Sequence, residues 1–358
     1  MNKIYFTPGP SQLFYTVDEH IKQALKLQVP SISHRGQAFK NIYEHTVSQL
    51  RTLVSLPDNY QVLFTNSATE IWERIIQNCV REESYHLVNG AFSDKFHQTA
   101  KLMGKNASKV EAAEGSAVNI KDVSISPEVE LIGLAHNETS TGVAQPLSDI
   151  YALRDKYPDP LIAVDVVSSI PYIDIDFEKV DMVYFSVQKC FGLPAGLGVW
   201  LVNDRAIAKA RALASKGTNI AKYRQLIAMA DEAARFQTTS TPNVLDIYLL
   251  GKVAEDMNAK GLDMIRRETD YKSAVLYHCI KEHPNLECFI KDTAYQSKTT
   301  VVAKTNGSPK KFIDPLNKLG LVIGAGYGKY KDEHIRIANF PTHSKEQIEL
   351  LVDQLNKH

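Results

Sequence analysis

The chain has 358 residues, of which 44% are hydrophobic and 23% are charged. This is the composition of a globular protein of ordinary enzyme size, and the length suggests two or three domains. Its 41 basic side chains balance 41 acidic ones, which argues against a protein that binds nucleic acid or an anionic membrane through a basic surface. No apolar run of about eighteen residues occurs, so no membrane-spanning helix is expected.

The N-terminus and the cysteines both indicate a cytoplasmic protein. The chain reaches Pro8 before an apolar stretch typical of a signal peptide can form. The four cysteines have no Cys-x-x-Cys spacing and are expected to be reduced thiols. No grouping of histidines and cysteines predicts a metal site.

The first elements in chain order are two predicted helices. The segment Thr7-Pro8-Gly9-Pro10 cannot be helical, because two prolines and a glycine interrupt the hydrogen bonds of a helix. Apolar residues at helical spacing then predict helices over 17–27 and 39–53.

Short apolar runs alternate with helical segments between residues 61 and 202. Strands are predicted at 61–65, 85–89, 109–112, 130–135, 161–166, 182–186 and 197–202, and helices at 68–80, 93–103 and 147–157. Several strands are apolar on both faces, as in a sheet covered by helices on both sides. The pattern predicts an α/β fold with a doubly wound, mostly parallel seven-stranded sheet, whose last two strands are close enough to pair antiparallel.

The C-terminal part predicts a smaller α+β domain. A long helical region runs from 244 to 282, and weaker strands follow at 286–290, 299–303, 321–323 and 335–338. A final helix over 344–357 begins with a capping box of Ser344 and Gln347. We expect a large domain at 14–251 and a small one at 252–358, with residues 1–13 packed against the small domain.

Two of the predicted parallel strands end in residues that carry chemistry. Asp165 ends one, and Lys189 follows the other in a glycine-rich loop. Because open α/β sheets bind ligands at the carboxyl ends of their strands, we expect the two side chains to meet in one cleft. Pyridoxal phosphate needs this pair: a lysine amine to join it, and a carboxylate to keep its ring nitrogen protonated. For an isolated pair, a turn-capping aspartate and a surface lysine are the simpler interpretation.

A cradle for the cofactor phosphate is predicted where the first strand of this sheet meets its helix. The segment Ser67-Ala68-Thr69 has small residues at a helix N-terminus, whose free N–H groups and dipole favour an anion. Taken alone, Ser67 is equally explained as a plain helix N-cap.

A set of segments along the whole chain occurs in the order seen in a known family. They are Thr7-Pro8-Gly9-Pro10, Ser33-His34-Arg35, Ser67-Ala68-Thr69, Asn137-Glu138-Thr139, Asp165, Ser186-Val187-Gln188-Lys189 and Ile335-Arg336. On these residues the chain resembles the class V aminotransferases, and among them the phosphoserine aminotransferases most closely. The resemblance implies a fold type I, homodimeric pyridoxal-phosphate enzyme with active sites completed across the dimer interface, acting on amino acids and keto acids.

The resemblance also implies roles for individual residues. Lys189 would join the cofactor covalently, and Asp165 would face its ring nitrogen. Thr139 would contact the ring hydroxyl, and Phe92 would stack on the ring in place of the usual tryptophan. The cofactor phosphate would be bound by Ser67, Ala68 and Gln188. Ser240 and Thr241 would reach that phosphate from the neighbouring subunit.

Three further residues are implied as substrate ligands. Arg336 would bind the α-carboxylate, since a guanidinium can hold a carboxylate through two hydrogen bonds. His34 and Arg35 would bind the distal phosphate. Outside this context, a surface ion pair would explain each arginine, and a neutral loop histidine would explain His34.

The chain also departs from the phosphoserine pattern. No arginine follows Ser67-Ala68, and the usual His-Arg pair before Arg336 is missing. Two phosphate ligands of the family are therefore either absent or replaced, with Lys329 and Lys331 as the candidates. The main hypothesis is phosphoserine:2-oxoglutarate transamination in serine biosynthesis. The alternative is an alanine/serine–glyoxylate or pyruvate aminotransferase. A cysteine desulfurase is disfavoured because no cysteine follows Cys288, and a domain without cofactor is disfavoured because Asp165 and Lys189 are both present.

Overall fold

The computed structural model describes residues 3–217 and 220–358, which form two large β-sheets, a two-stranded ribbon and flanking helices. The strands are β1 (Ile4–Phe6), β2 (Tyr60–Thr65), β3 (Glu83–Val88), β4 (Asn106–Glu111), β5 (Val129–Ala135), β6 (Asn137–Glu138), β7 (Val143–Ala144), β8 (Leu161–Asp165), β9 (Met182–Ser186), β10 (Gly198–Asn203), β11 (Leu286–Cys288), β12 (Thr300–Thr305), β13 (Leu321–Ala325) and β14 (His334–Ala338). The α-helices are α1 (Val17–Lys26), α2 (Gln37–Val54), α3 (Ala68–Cys79), α4 (Ala91–Leu102), α5 (Leu147–Lys156), α6 (Asp204–Ser215), α7 (Leu226–Ala233), α8 (Val244–Lys260), α9 (Leu262–Glu282), α10 (Lys310–Lys318) and α11 (Lys345–Leu355). Across this part of the chain, none of the helices combines the length and the apolar character needed to cross a bilayer.

The larger sheet has seven strands in the order β2-β10-β9-β8-β5-β3-β4. All its neighbouring pairs are parallel except those of β10, which runs antiparallel to both β9 and β2. The predicted α/β fold, the seven strands and the antiparallel pairing of the last two are confirmed. The edge strand β4 begins three residues before the predicted start at 109 because its exposed residues carry no apolar signal.

The central strands β8, β9 and β10 are buried along their whole length, as expected for a sheet covered on both faces. Helix α3 packs on this sheet through Ile71 and Ile75 and starts directly after β2. Its start is fixed by Ser67, whose hydroxyl accepts the N–H of Glu70 at 3.3 Å.

The second sheet has five strands in the order β1-β13-β14-β12-β11. Strand β1 comes from the N-terminal segment and pairs in parallel with β13, with Ile4 opposite Leu321. The final helix α11 begins with the predicted capping box, since Ser344 and Gln347 exchange hydrogen bonds.

The predicted division of the chain at Gly251 stays a prediction. Gly251 lies in the middle of α8, where an added Cβ would be 2.5 Å from the Thr46 hydroxyl of α2, so these two helices pack closely. The core of the larger sheet includes Met257 and Ile265, whereas the core of the second sheet includes Leu276. The predicted helical region 244–282 is two helices, because Gly261 between them has a φ of +84°.

The carboxyl ends of β5, β8 and β9 form one edge of the larger sheet, and this edge faces the second sheet. The N–H of His136, just after β5, donates to the carbonyl of Asp165 at 2.9 Å, and that of Val166 donates to Tyr184 at 3.0 Å. These bonds fix the segments that leave the sheet. The site described next lies at this edge, as the parallel topology predicts.

Candidate active site

Asp165 and Lys189 line the same cavity. Asp165 ends β8 with its side chain buried, and one carboxylate oxygen accepts the N–H of Val167 at 2.9 Å. Burial raises the pKa of Asp165 to about 7, an effect that the nearby Lys189 opposes. Burial likewise lowers the pKa of Lys189, again against the attraction of Asp165. The predicted meeting of a carboxylate and an amine is therefore present in the structure.

The cavity has a volume of about 160 Å³. Six of the predicted site residues line it, namely Ala68, Phe92, Thr139, Asp165, Gln188 and Lys189. Ser67 adjoins it as the N-cap of α3. Another N–H at this helix start, that of Ala68, donates to the Ser186 hydroxyl at 2.7 Å. The helix N-terminus thus opens onto the cavity and favours an anion there.

A chain of hydroxyl groups orients Thr139 toward the amine. Lys189 Nζ donates to Thr139 Oγ1 at 2.8 Å, and Thr139 Oγ1 donates to Ser168 Oγ at 3.0 Å. Ser168 Oγ in turn donates to the carbonyl oxygen of Asn137 at 3.1 Å. Because each hydroxyl has a fixed acceptor, Thr139 Oγ1 presents its lone pair to Lys189.

Glu138 is a site residue that the sequence reasoning did not single out. Its carboxylate is fully buried and accepts the N–H groups of Phe92 at 3.1 Å and Ser93 at 2.9 Å, at the start of α4. These bonds hold the Phe92 ring over the cavity, with its centroid 5.3 Å from Lys189 Nζ. The sequence offered one signal for this role: Glu138 closely follows an apolar strand, and a carboxylate that is buried there needs several hydrogen-bond donors.

Arg336 extends from the second sheet to Thr139, one of the residues that line the cavity. Its Nε donates to the carbonyl of Ala325 at 2.8 Å, and its Nη1 donates to the carbonyl of Thr139 at 3.2 Å. Burial lowers the pKa of Arg336 to about 10. Among residues 3–217 and 220–358, no carboxylate oxygen lies within 4.0 Å of its guanidinium. Arg336 is therefore a partly buried cation that lacks a carboxylate at close range.

Besides Ser67 and Arg336, four predicted site residues do not line the Lys189 cavity in the single chain. Arg35 Nη1 donates to Gln237 Oε1 at 3.1 Å and to the carbonyl of Thr238 at 2.9 Å. The other three are His34, Ser240 and Thr241. His34 is half-buried, and Ser240 and Thr241 line a separate cavity of about 60 Å³. Burial lowers the pKa of His34, and the charge of Arg35 lowers it further.

The two lysines proposed to replace the missing phosphate ligands are exposed. The Lys329 ammonium lies 3.1 Å from the Glu114 carboxylate, with three quarters of its side chain in solvent. Lys331 ends the short turn Gly328–Tyr330. That either lysine binds substrate stays a prediction.

Gly9 was predicted to lie in a non-helical start that resembles a family segment, without a role of its own, yet it packs against the Lys189 side chain. Its φ is +140°, and an added Cβ would be 2.7 Å from Lys189 Cε. We expect Gly9→Ala to displace the Lys189 side chain and to lower the transamination rate about a hundredfold, as small misplacements of reacting groups do. Steady-state rates of purified protein would measure this.

Gly104→Ala is the matched control for Gly9→Ala. Gly104 also has a positive φ, +75°, but an added Cβ would meet nothing within 4 Å. It therefore also places a Cβ on a residue of positive φ, but without a contact to Lys189. Equal rates in the two variants would contradict a positioning role for Gly9.

Comparison with known proteins places this site in a family. A curated phosphoserine aminotransferase of Rhodococcus opacus is 31% identical over 332 residues, which cover 90% of this chain and 87% of that protein. A solved phosphoserine aminotransferase of Cytophaga hutchinsonii is 48% identical with a TM-score of 0.98, covering 100% of this chain and 99% of the other. The solved ureidoglycine–glyoxylate aminotransferase of Bacillus subtilis shares the fold at 20% identity, with a TM-score of 0.83 and coverage of 100% and 92%.

The family model described as Aminotransferase class-V matches residues 4–329. The matched range contains the cavity, its Asp165–Lys189 pair and Thr139. The chain belongs to the class V aminotransferases.

Proposed function

We propose that this class V aminotransferase transfers nitrogen between phosphoserine and 2-oxoglutarate, as an enzyme of serine biosynthesis. The observation that carries the proposal is Arg336, a cation without a close carboxylate that contacts the carbonyl of Thr139, whose hydroxyl holds Lys189. An amino acid can therefore place its carboxylate at Arg336 and its Cα beside the amine. The names of the Rhodococcus and Cytophaga relatives support phosphoserine as the donor.

The cofactor of this class V aminotransferase is pyridoxal phosphate, and the residues of the cavity fit it. Asp165 is a buried carboxylate that accepts one N–H bond and can still accept a bond from a protonated ring nitrogen. Phe92 offers an aromatic face, and the start of α3, where Ala68 and Thr69 line the cavity, directs the positive end of the helix dipole to a phosphate. When bound, the cofactor supplies an electron sink for the carbanion formed at the substrate Cα.

The side chains of the chain itself then have separate tasks. Lys189 Nζ takes the proton from Cα and returns it, as general base and acid, and the hydroxyl of Thr139 holds that nitrogen in place. Arg336 orients the α-carboxylate, so that the Cα–H bond faces the amine. Gln188 lines the cavity next to Lys189 and supports the cofactor phosphate.

A homodimer in the cytoplasm completes the proposal. His34, Arg35, Ser240 and Thr241 lie away from the Lys189 cavity of their own chain, and Arg35 donates to a carbonyl in the segment that leads to Ser240. We assign this group to the active site of a second copy, where it would meet the cofactor phosphate and the distal anion of the substrate. All four cysteines are buried and free, which supports a reducing compartment.

An alanine/serine–glyoxylate or pyruvate aminotransferase is the second candidate. It is favoured by the absence of an arginine after Ser67-Ala68 and by the pairing of Lys329 with Glu114, which leave fewer cations for a phosphate. A panel of amino donors and keto acids separates the two candidates by kcat/KM. Faster turnover of alanine with glyoxylate than of phosphoserine with 2-oxoglutarate would reject the phosphoserine proposal.

Replacing Arg336 with alanine should weaken every amino donor alike. A hydrogen-bonded charge pair contributes about 1.5–3 kcal/mol, which corresponds to a loss of about tenfold to a hundredfold in kcat/KM for phosphoserine, glutamate and alanine. Arg336→Lys keeps the charge but cannot form two parallel hydrogen bonds, so its kcat/KM should lie between those of the wild type and Arg336→Ala. A selective loss for phosphoserine alone would mean that Arg336 binds the distal group instead.

A further inference from the structure

We propose that Lys95, held by the hydroxyl of Tyr327, binds the distal anion of the substrate within the same chain. The inference rests on the proposed function, since it names a residue that recognises the phosphate of phosphoserine. It assigns the cation to helix α4 rather than to Lys329 or Lys331.

Lys95 is an exposed residue of α4, one turn after Phe92, which lines the cavity. Its Nζ is 5.2 Å from the centroid of the Phe92 ring, and the Lys189 amine is 5.3 Å from that same centroid. The ring that covers the cavity thus has the reacting amine and a second ammonium group beside it. The two ammonium groups are therefore separated by no more than the sum of 5.2 Å and 5.3 Å.

Tyr327 connects this ammonium group to the carboxylate-binding arginine. Lys95 Nζ donates to Tyr327 Oη at 2.6 Å and lies 5.0 Å from the Tyr327 ring centroid. The Arg336 guanidinium carbon lies 5.3 Å from that centroid, and the Tyr327 and Phe92 centroids are 5.2 Å apart. Two cations therefore flank one tyrosine beside Phe92, an arrangement suited to a substrate with an anion at each end.

The charge of Lys95 is not balanced at short range. In the part of the chain that the structure describes, no carboxylate oxygen lies within 4.0 Å of its Nζ; the adjacent Asp94 pairs instead with Lys109 at 3.0 Å. Arg336 lacks a close carboxylate in the same way. Two cations that have no carboxylate within 4.0 Å attract a substrate that carries a phosphate and a carboxylate.

Lys329 serves as the matched control because it is also a lysine near Tyr327. Its ammonium group is 3.1 Å from Glu114 and its side chain is mostly exposed. It already has an anionic partner. If any nearby positive charge could bind the substrate phosphate, removing Lys95 or Lys329 would weaken phosphate binding equally.

The test measures binding of 3-phosphoglycerate and of glycerate to the holoenzyme by calorimetry. Both lack an amino or keto group and cannot be transaminated, and they differ only in the phosphate. We expect Lys95→Met to weaken 3-phosphoglycerate about tenfold and glycerate much less, with Lys95→Arg retaining most of the affinity. Lys329→Met should bind both compounds as the wild type does. For phosphoserine, kcat/KM should be similar in the wild type and Lys329→Met, slightly lower in Lys95→Arg and lowest in Lys95→Met.

The outcomes separate this inference from the proposed function. Wild-type protein that binds 3-phosphoglycerate no better than glycerate, and that does not use phosphoserine, would reject the proposed function. Wild-type preference for the phosphate that survives in Lys95→Met would overturn the role of Lys95. Equal weakening of both compounds in Lys95→Met would also overturn it, because Lys95 would then only hold Tyr327 in place.

Discussion

Lys189→Ala is expected to lower the transamination rate by about a thousandfold or more, because the covalent link to the cofactor and the proton carrier disappear together. The loss should fall on kcat, since Arg336 and the cavity wall remain to bind substrate. Steady-state kinetics of the purified variant would measure it. Mass spectrometry after borohydride reduction would show whether pyridoxal phosphate is still attached to the chain.

Lys272 offers a control for this experiment as another buried lysine. Its Nζ donates to the carbonyls of Phe340 at 3.0 Å and His343 at 2.8 Å, and burial lowers its pKa to about 7. It does not line the cavity. Lys272→Met should therefore reduce thermal stability while keeping the cofactor attached to Lys189. Attachment that persists in Lys189→Ala, or is lost in Lys272→Met, would contradict the assignment.

The sequence was sufficient to predict the large sheet and its chemistry because both depend on strong local signals. Strands such as β8 and β9 are continuous apolar runs, and the parallel topology brings Asp165 and Lys189 to one edge. Elements with weaker signals were not predicted: β1 has only three residues, and α10 contains Pro315 within the helix.

The missed site residues share a physical reason. Gly9, Glu138 and Lys95 matter through contacts with residues far away in the chain, and each is ordinary in its own segment. Gly9 touches Lys189 across 180 positions, and Lys95 meets Tyr327 across 232. Tertiary packing creates these contacts: Glu138 meets the start of α4, whereas Gly9 and Lys95 meet residues of the other sheet's unit, so periodicity and spacing could not indicate them.

Asp165→Asn is expected to preserve the shape of the site and to reduce turnover by about a hundredfold or more. The amide fills the same volume but cannot keep a ring nitrogen protonated, so the cofactor becomes a weaker electron sink. Adding a cofactor analogue with a permanently charged ring nitrogen should partly restore the rate. Full activity in Asp165→Asn would show that this carboxylate has a structural role only.

The pH dependence of the cofactor-free protein gives an independent measure of the same carboxyl. Burial raises the pKa of Asp165 from 3.8 to about 7, so the folded protein holds a proton that the unfolded chain releases between these values. The protonated Asp165 carboxyl therefore contributes to the free energy of unfolding in full below about pH 4, and this contribution is lost as the pH rises through 7. Lys189 opposes this shift and Glu138 adds to it. We expect the fall in stability with rising pH to be smaller in Asp165→Asn. The melting temperature of this variant should therefore rise relative to that of the wild type between pH 5 and pH 8. Parallel pH profiles for the two proteins would mean that Asp165 is already ionised at pH 5, as a carboxylate kept charged by the Lys189 ammonium would be.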